Sequence, residues 1–544
     1  MSAINIDKTP GSAVLDAAHV GDIKGAFGTI RQGDIAPRTN WWARATTFFA
    51  ILGPGLIVMV GDNDAGAFGT YTQAGQNYGT SLLWTLLLLV PVLYVNQEMV
   101  LRLGAVTGVG HARLIFARFG RFWGAFSIID LFLLNALTIV TEFIGIALAL
   151  DFLGVGRELG VIAAAVLIVL AAGTGDFRRF ERFAVFLCFG SLLLVPVFLA
   201  AHPSIAQVAA DFVTPQLPAD GKLADVMLLI IGIVGTTIAP WQLFFQQSYV
   251  IDKRITPRFM RYQRADLWIG IVIVIIGAVA MMAFTATAFQ GHPEFGNFTD
   301  AGAVAAGLDK YVGQIPGVLF AIALIDASII GAAAVSLATA YAIGDVFSLK
   351  HSLHRKATDA KGFYAVYAGL IALAAALVLT PGTPLGLLTS AVQSLAGVLL
   401  PSATVFLLLL CNDKAVLGPW VNGSRLNLFT GAVIGVLVTL SIILTASVLF
   451  PEISGQTVVI ILAAGFGLAV VVALVSAVVR SRRGDLVVVD RSGQTTWRMP
   501  PLEQLAPGRL TNQSKIWMSV LRLYLIGAGG LVLWRLALLT FGNG

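Results

Sequence analysis

The chain has 544 residues, of which 57% are apolar and 12% charged, with a mean hydropathy of +0.85 and a formal charge of +6. Such a balance excludes an ordinary soluble protein, whose surface would be mostly hydrocarbon, and defines an all-α polytopic membrane protein. Nucleic-acid binding is excluded too, because the basic residues are scattered through short loops between apolar runs and form no patch.

Residues 1–44 are of mixed polarity, hold no apolar segment long enough for a secretory signal, and read as a flexible cytoplasmic tail. Trp41, Trp42 and Arg44 close it as an interfacial anchor. Residues 45–480 read as the transmembrane domain. Its apolar runs fall near 48–74, 81–104, 122–150, 158–172, 183–201, 224–250, 267–289, 316–343, 363–380, 384–411, 427–450 and 457–479. Each approaches the roughly 20 residues that a helix needs to cross the hydrocarbon, which predicts about twelve transmembrane helices. Every second loop is basic: Arg113, Arg118 and Arg121 follow the second run, and Lys253, Arg254, Arg258, Arg261 and Arg264 the sixth. Intervening loops such as QGHPEFGNFTDAG are nearly free of Lys and Arg. Since short cytoplasmic loops hold the basic residues, the amino terminus is expected in the cytoplasm of a multi-pass plasma (inner) membrane protein. Residues 481–515 read as a cytoplasmic segment with a small hairpin around Asp490 to Gly493, and 516–544 as a further apolar helix, spanning or interfacial. Cys188 and Cys411 are too few and too far apart for a disulfide framework or a thiolate metal site, and read as buried fillers.

Two runs are interrupted. In the first, GDNDAGA (Gly61 to Ala67) places Asp62, Asn63 and Asp64 among small residues inside an otherwise continuous apolar helix. A carboxylate at that depth costs at least about 2.5 kcal/mol, so the pair marks a functional site. Gly61 and Gly66 let the backbone leave the helix, which is tolerable only where freed carbonyls face protein or a water-filled cavity. In the sixth run, GTTIAPWQLFFQQS contains Pro240, which removes a donor and clashes with the preceding turn, so unwinding is expected across Gly235 to Ala239. Breaks in helices 1 and 6 are five helices apart, as in two inverted five-helix repeats, about 48–202 and 224–411, followed by helices 11 and 12. Taken alone, Pro240 could simply kink a helix; its pairing with the two aspartates argues for a midplane site.

The run GPGLIVMVGDNDAGAFGTYTQAGQNYGTSLLW, together with RLGAVTG, GDFRRFERF and NDKAVLGPWVNG, resembles the NRAMP (natural-resistance-associated macrophage protein) divalent-metal transporters over about Gly53 to Phe450. That resemblance implies a LeuT-like fold and a metal passing between helices 1 and 6. It places Asp64 on the family's metal-binding aspartate, Thr236 where a backbone carbonyl reaches the metal, and Gln393 on a polar position facing the site. The family's Asp-Pro-Gly-Asn motif is altered at Ala65 and Ala67. Its Met-Pro-His becomes Ala239-Pro240-Trp241, its second histidine becomes Gln246, and of its acidic pair on helix 3 only Glu142 remains, beside Ile139.

These replacements have a chemical direction. A thioether favours transition metals, whereas carboxylate, amide and carbonyl oxygens suit Mg²⁺, Ca²⁺ and Mn²⁺. With Ala239 in place of methionine, the expected ligands are Asp64, Asp62, Asn63, Thr236, Gln242 and Gln393, around a partly hydrated Mg²⁺ and with Mn²⁺ also accepted. This points to a divergent, NRAMP-related magnesium-transporter branch. Trp241, Gln246 and Glu142 are expected to line the cavity or gate. Losing both histidines and one carboxylate predicts weak or no proton coupling. Each residue has a plainer role: Asp64 as a helix cap, Gln242 and Gln393 as interhelical glue, Glu142 as partner of an Arg, Glu98 and Arg102 as a helix-surface ion pair, and Asp326 as a packing partner. The expected cargo is a divalent cation, with no cofactor and no obligate protein partner. A proton-coupled Mn²⁺/Fe²⁺ symporter is the alternative, and an amino-acid transporter of the same fold a more remote one. No spaced His or Cys cluster, Ser-His-Asp set or nucleotide loop supports a membrane enzyme.

Overall fold

The computed structural model describes residues 13–218, 221–381, 385–450, 453–483 and 491–506, with isolated positions beyond 507. A hairpin of β1 (Ile23–Gly25) and β2 (Gly28–Ile30) precedes the helices. The first half comprises α1 (Trp41–Ile51), α2 (Pro54–Val60), α3 (Ala65–Tyr78), α4 (Leu83–Thr107), α5 (His111–Phe119), α6 (Arg121–Phe152), α7 (Arg157–Ala172), α8 (Phe177–Cys188) and α9 (Leu194–Ala201). After α10 (Ile205–Val213), the second half comprises α11 (Leu223–Thr237), α12 (Pro240–Asp252), α13 (Met260–Phe289), α14 (Ala301–Tyr311), α15 (Gln314–Phe347), α16 (Lys361–Val378) and α17 (Leu385–Cys411). Then α18 (Lys414–Leu417), α19 (Ser424–Leu449) and α20 (Gly455–Arg483) follow.

All twelve predicted runs are helical. Among the described residues, eight helices are long and apolar enough to cross a bilayer, or up to ten if two bent pairs are each counted as one span. The first run is divided among the end of α1, the 7-residue α2 and the 14-residue α3, because the bend at Gly53 and the acidic break both interrupt it. The apolar helix expected over Ile516–Phe541 lies outside the described residues apart from isolated positions, and so does 484–490 of the expected hairpin. Both cysteines are buried and free.

Helix contacts are reciprocal between the halves. The broken α2 and α3 of the first half lie against α13, the second spanning helix of the other half, while α12 lies against α4, the second spanning helix of the first. The third spanning helices, α6 and α15, lie against each other. That exchange is what a pseudo-twofold axis between two inverted repeats produces, and it brings both broken helices to the centre.

The amino-terminal half of α2 is held by charge. Asp266 of α13 accepts from the backbone N–H groups of Gly53 (3.1 Å), Gly55 (2.7 Å) and Leu56 (3.2 Å), satisfying orphan donors at a helix start that has Pro54 at its first position. The fully buried Lys253 pairs with Glu181 at 2.7 Å and donates to the Ile51 and Leu52 carbonyls at 2.8 Å, fixing the bend of 49° between α1 and α2. Gly53 sits at that bend with φ 151°, open to glycine alone at low cost.

The segment expected to be a flexible tail is folded from Ala13 onward. Arg254 donates to the carbonyls of Ala18 and Asp22, Arg355 bonds Asp16, and the Ala26 N–H donates to Glu181 at 2.6 Å. His19 meets the His351 carbonyl at 2.9 Å. Burial alone would lower the pKa of His351, but Asp345 at 3.0 Å and the Leu349 carbonyl raise it to about 9, so its ring brings a positive charge to the cluster. The segment therefore docks on the loops rich in Lys and Arg, here termed the basic end. Its order comes from distant partners, and no local apolar pattern announces it.

Candidate functional site

The two breaks meet. Gln242, on the first turn of α12, donates through Nε2 to Asp62 Oδ1 and, at 3.4 Å, to the Thr237 carbonyl. Gln97 of α4 donates to Gln242 Oε1 at 2.7 Å, so the amide of Gln242 is oriented from both sides. Asp62 is fully buried, and its Oδ2 has no protein partner. An unpaired carboxylate oxygen at that depth is costly unless a cation or proton compensates it.

Asp64 caps α3, its Oδ1 accepting from the Ala67 N–H at 2.9 Å. Glu142 of α6 reaches the same helix start, its Oε2 accepting from the Ala65 N–H at 3.1 Å while Oε1 has no partner. Asp64 and Glu142 both lie against Gly331 of α15, where a Cβ would stand 3.0 Å from the Asp64 Cβ and 2.8 Å from the Glu142 carboxyl carbon. The expected arginine partner of Glu142 is therefore a backbone amide. Gln393 of α17 lies against Gly66 and faces the same helix start; a Cβ at Gly66 would collide with its amide.

The break beside Pro240 is shorter than expected. α11 continues to Thr237, and only Ile238 and Ala239 are non-helical. Residue four beyond Thr236 is Pro240, which has no N–H, so the Thr236 carbonyl loses its helical donor. Gly235, expected to unwind, is helical; it lets α11 approach α17, where a Cβ would stand 2.6 Å from the Gln393 carbonyl oxygen. Gly66 likewise lies inside α3, leaving Gly61, Ala239 and Pro240 at the breaks themselves. Both misplaced glycines serve close packing.

Asn63 points away from the other candidates, donating to the Val274 carbonyl of α13 at 3.2 Å, with its Oδ1 unpaired. Trp241 is buried against Phe245, and neither amide atom of Gln246 has a partner. Asp326 lies against Gly190, between α8 and α9. Glu98 and Arg102 form the expected pair at 3.2 Å, but not on a surface: Arg102 also bonds Asn422 at 2.7 Å, and Glu98 bonds Arg264. Gln97 was missed altogether; the polar triplet Asn96-Gln97-Glu98 within an apolar run was its only signal.

Among the described residues, no three His, Cys, Asp or Glu side chains converge at metal-binding spacing. Any ion here would combine Asp62 and Asp64 with amides and freed carbonyls. Asp62, Asp64, Thr236, Gln242 and Gln393 are all buried, so the centre is closed to both ends.

Two broken helices joined at a pseudo-twofold centre define a secondary membrane transporter of the LeuT-like fold, not an enzyme. A family model described as natural resistance-associated macrophage protein-like matches residues 55–447, and the chain belongs to that family. A Ralstonia nicotianae protein, "Divalent metal cation transporter MntH", is 30% identical over 408 residues, covering 72% of this chain and 88% of its own. A Xanthomonas campestris protein of the same name is 31% identical over 329 residues, 55% of this chain and 69% of the relative. In three dimensions, the Eremococcus coleocola manganese transporter matches 83% of this chain and 99% of its own, with a TM-score of 0.61 at 21% identity.

Proposed function

We propose that this chain carries divalent metal cations into the cell, that Mg²⁺ is preferred with Mn²⁺ also accepted, and that uptake is driven by the membrane potential with weak or no proton coupling. The observation that carries the reading is the hydrogen bond joining Asp62 on one break to Gln242 on the other. It supports a single pocket with oxygen donors from both half-helices. Asp62 and Asp64 balance a double charge, Gln393 and the freed Thr236 carbonyl add neutral oxygens, and Gln242, its Oε1 held by Gln97, orients Asp62 through its N–H. None of these is sulfur, and hard oxygen sites favour Mg²⁺ and Mn²⁺ over softer metals. Mg²⁺ keeps several waters on one or two carboxylates, which suits a pocket where Ala239 replaces a long side chain. At about −100 mV a divalent ion gains roughly 4.6 kcal/mol on moving inward, enough without a co-ion. The basic loops and the docked amino-terminal segment would then face the cytoplasm of a plasma-membrane protein.

A second reading, proton-coupled Mn²⁺ or Fe²⁺ symport, is favoured by one feature: Glu142 is present and reaches the start of α3 beside Asp64. Purified protein in liposomes separates the two. At a set inside-negative potential, Mg²⁺ influx is expected while lumenal pH stays constant. Lumenal acidification during Mn²⁺ influx, with Mg²⁺ neither moving nor competing, would establish the second reading instead.

The replacement at Ala239 supplies a further expectation. Ala239→Met offers a thioether at the break and takes up volume, so the ratio of Mn²⁺ or Cd²⁺ flux to Mg²⁺ flux should rise by about tenfold, equivalent to roughly 1.4 kcal/mol. A flux ratio equal to that of the unaltered protein would show that residue 239 does not face the ion.

A further inference from the structure

Two clefts flank the closed centre along one seam between α6 and α17. The first, about 360 Å³ with its mouth included, opens away from the basic end and includes Ala65 beside the acidic break, Thr141, Asp300 and Thr389. The second, about 250 Å³ with its mouth included, lies toward the basic end and is lined by Ser127 and Asp130 of α6, Pro240 and Phe244 of α12, and Ser402 of α17. On α6 the lining residues Ser127, Leu131, Leu134, Thr141, Gly145 and Leu148 recur at steps of three, four and seven, so one helix face serves both clefts. Gln393 sits between them on α17, ten residues before Ala403.

Asp130 is the one carboxylate in the second cleft, and no described residue bonds to it. By helical rise it stands about 18 Å along α6 from Glu142. Packing does not require a charge there, and an ionisable group inside a span is costly unless function retains it. Pro240, the first residue of α12, forms a wall of this cleft, so the break and the cleft share a boundary.

Building on the transport reading above, we propose that this cleft is a second cation station on the route from the central site to the basic end, with Asp130 as its charged donor and the Ser127 and Ser402 hydroxyls as neutral oxygens. An ion that leaves Asp62 and Asp64 through this cleft meets no other carboxylate in its lining. As the helices now stand the cleft has room for about one water molecule, so an ion enters only when α12 moves away from α6. Release is thereby tied to movement of the half-helix that begins at Pro240.

The test uses the full chain in liposomes, with Mg²⁺ as the probe at a fixed potential. Asp130→Asn should lower the initial rate by about tenfold while the external KM stays within about twofold, and Asp130→Glu should restore it. Lumenal Mg²⁺ should slow influx through the unaltered protein and not through Asp130→Asn, a readout that a structural role would leave in place. Independently, Asp130→Cys should react with a cationic thiosulfonate from the lumen and be protected by Mg²⁺, the two native cysteines being buried. Unchanged rate and unchanged lumenal inhibition in Asp130→Asn, or no protection in Asp130→Cys, would overturn the station. Asp64→Ala serves as reference: flux lost there with Asp130→Asn normal removes only the station, whereas flux retained there removes the transport reading itself.

Discussion

Asp64→Ala is expected to abolish Mg²⁺ uptake in liposomes, with the rate falling by more than about 100-fold, while the protein still purifies as a folded species. On the proposed reading, the variant removes one of two carboxylates from a divalent ion in a closed site, where breaking a buried charge pair costs roughly 3–5 kcal/mol, and each 1.4 kcal/mol is tenfold in rate. Asp64 has a second duty, however. Its Oδ1 accepts from the Ala67 N–H, and losing such a cap costs about 1 kcal/mol of helix stability. The two duties separate with Asp64→Ser and Asp64→Asn, since both side chains cap a helix start well and neither carries charge. If the carboxylate binds the ion, these variants keep the thermal stability of the unaltered protein and remain as inactive as Asp64→Ala. If capping is the whole of its role, Asp64→Ser recovers transport, and the cation site loses its central ligand.

How much of this was readable in the sequence depends on whether a feature is local. The break at Asp62 to Asp64 and the helix start at Pro240 were legible because charge inside an apolar run and a missing N–H act on the chain where they stand. Their meeting was legible only through the five-helix spacing of the two breaks, and the Gln242 to Asp62 contact agrees with it. Glycine is different, because in a membrane helix it serves either unwinding or close approach. Gly61 ends α2 as expected, but Gly66 and Gly235 remain helical and make room for Gln393 and for the α17 backbone. Nothing adjacent in the sequence distinguishes these cases. Gln97 was silent for a similar reason: its importance lies in a bond to a residue 145 positions away. The folded amino-terminal segment was the largest omission. Its short polar stretch reads as a loop, and its order is supplied by Arg254, Arg355 and His351 from elsewhere in the chain.

Lys253→Met should be the most destabilising single change away from the central site, lowering stability by about 3–5 kcal/mol, because it leaves Glu181 buried without its cation. Two further consequences follow from the same geometry. The Ile51 and Leu52 carbonyls lose their donor, so α1 is no longer tied to the start of α2; and Asp266, which holds that start through three backbone N–H groups, is left in a buried region with a second uncompensated carboxylate. A midpoint measured by thermal unfolding in detergent would report the loss. The double change Lys253→Met with Glu181→Gln distinguishes charge from shape: the glutamine oxygen can still accept from the Ala26 N–H, while the unpaired charge is gone. Since neutral isosteres of a buried pair often restore stability, the double variant should recover most of what the single one loses. Equal loss in both would mean that Lys253 acts through its bonds to the α1 carbonyls alone. The bend between α1 and α2 would then be held by hydrogen bonds to backbone, and the carboxylates beneath it would contribute little to holding the broken helix in place.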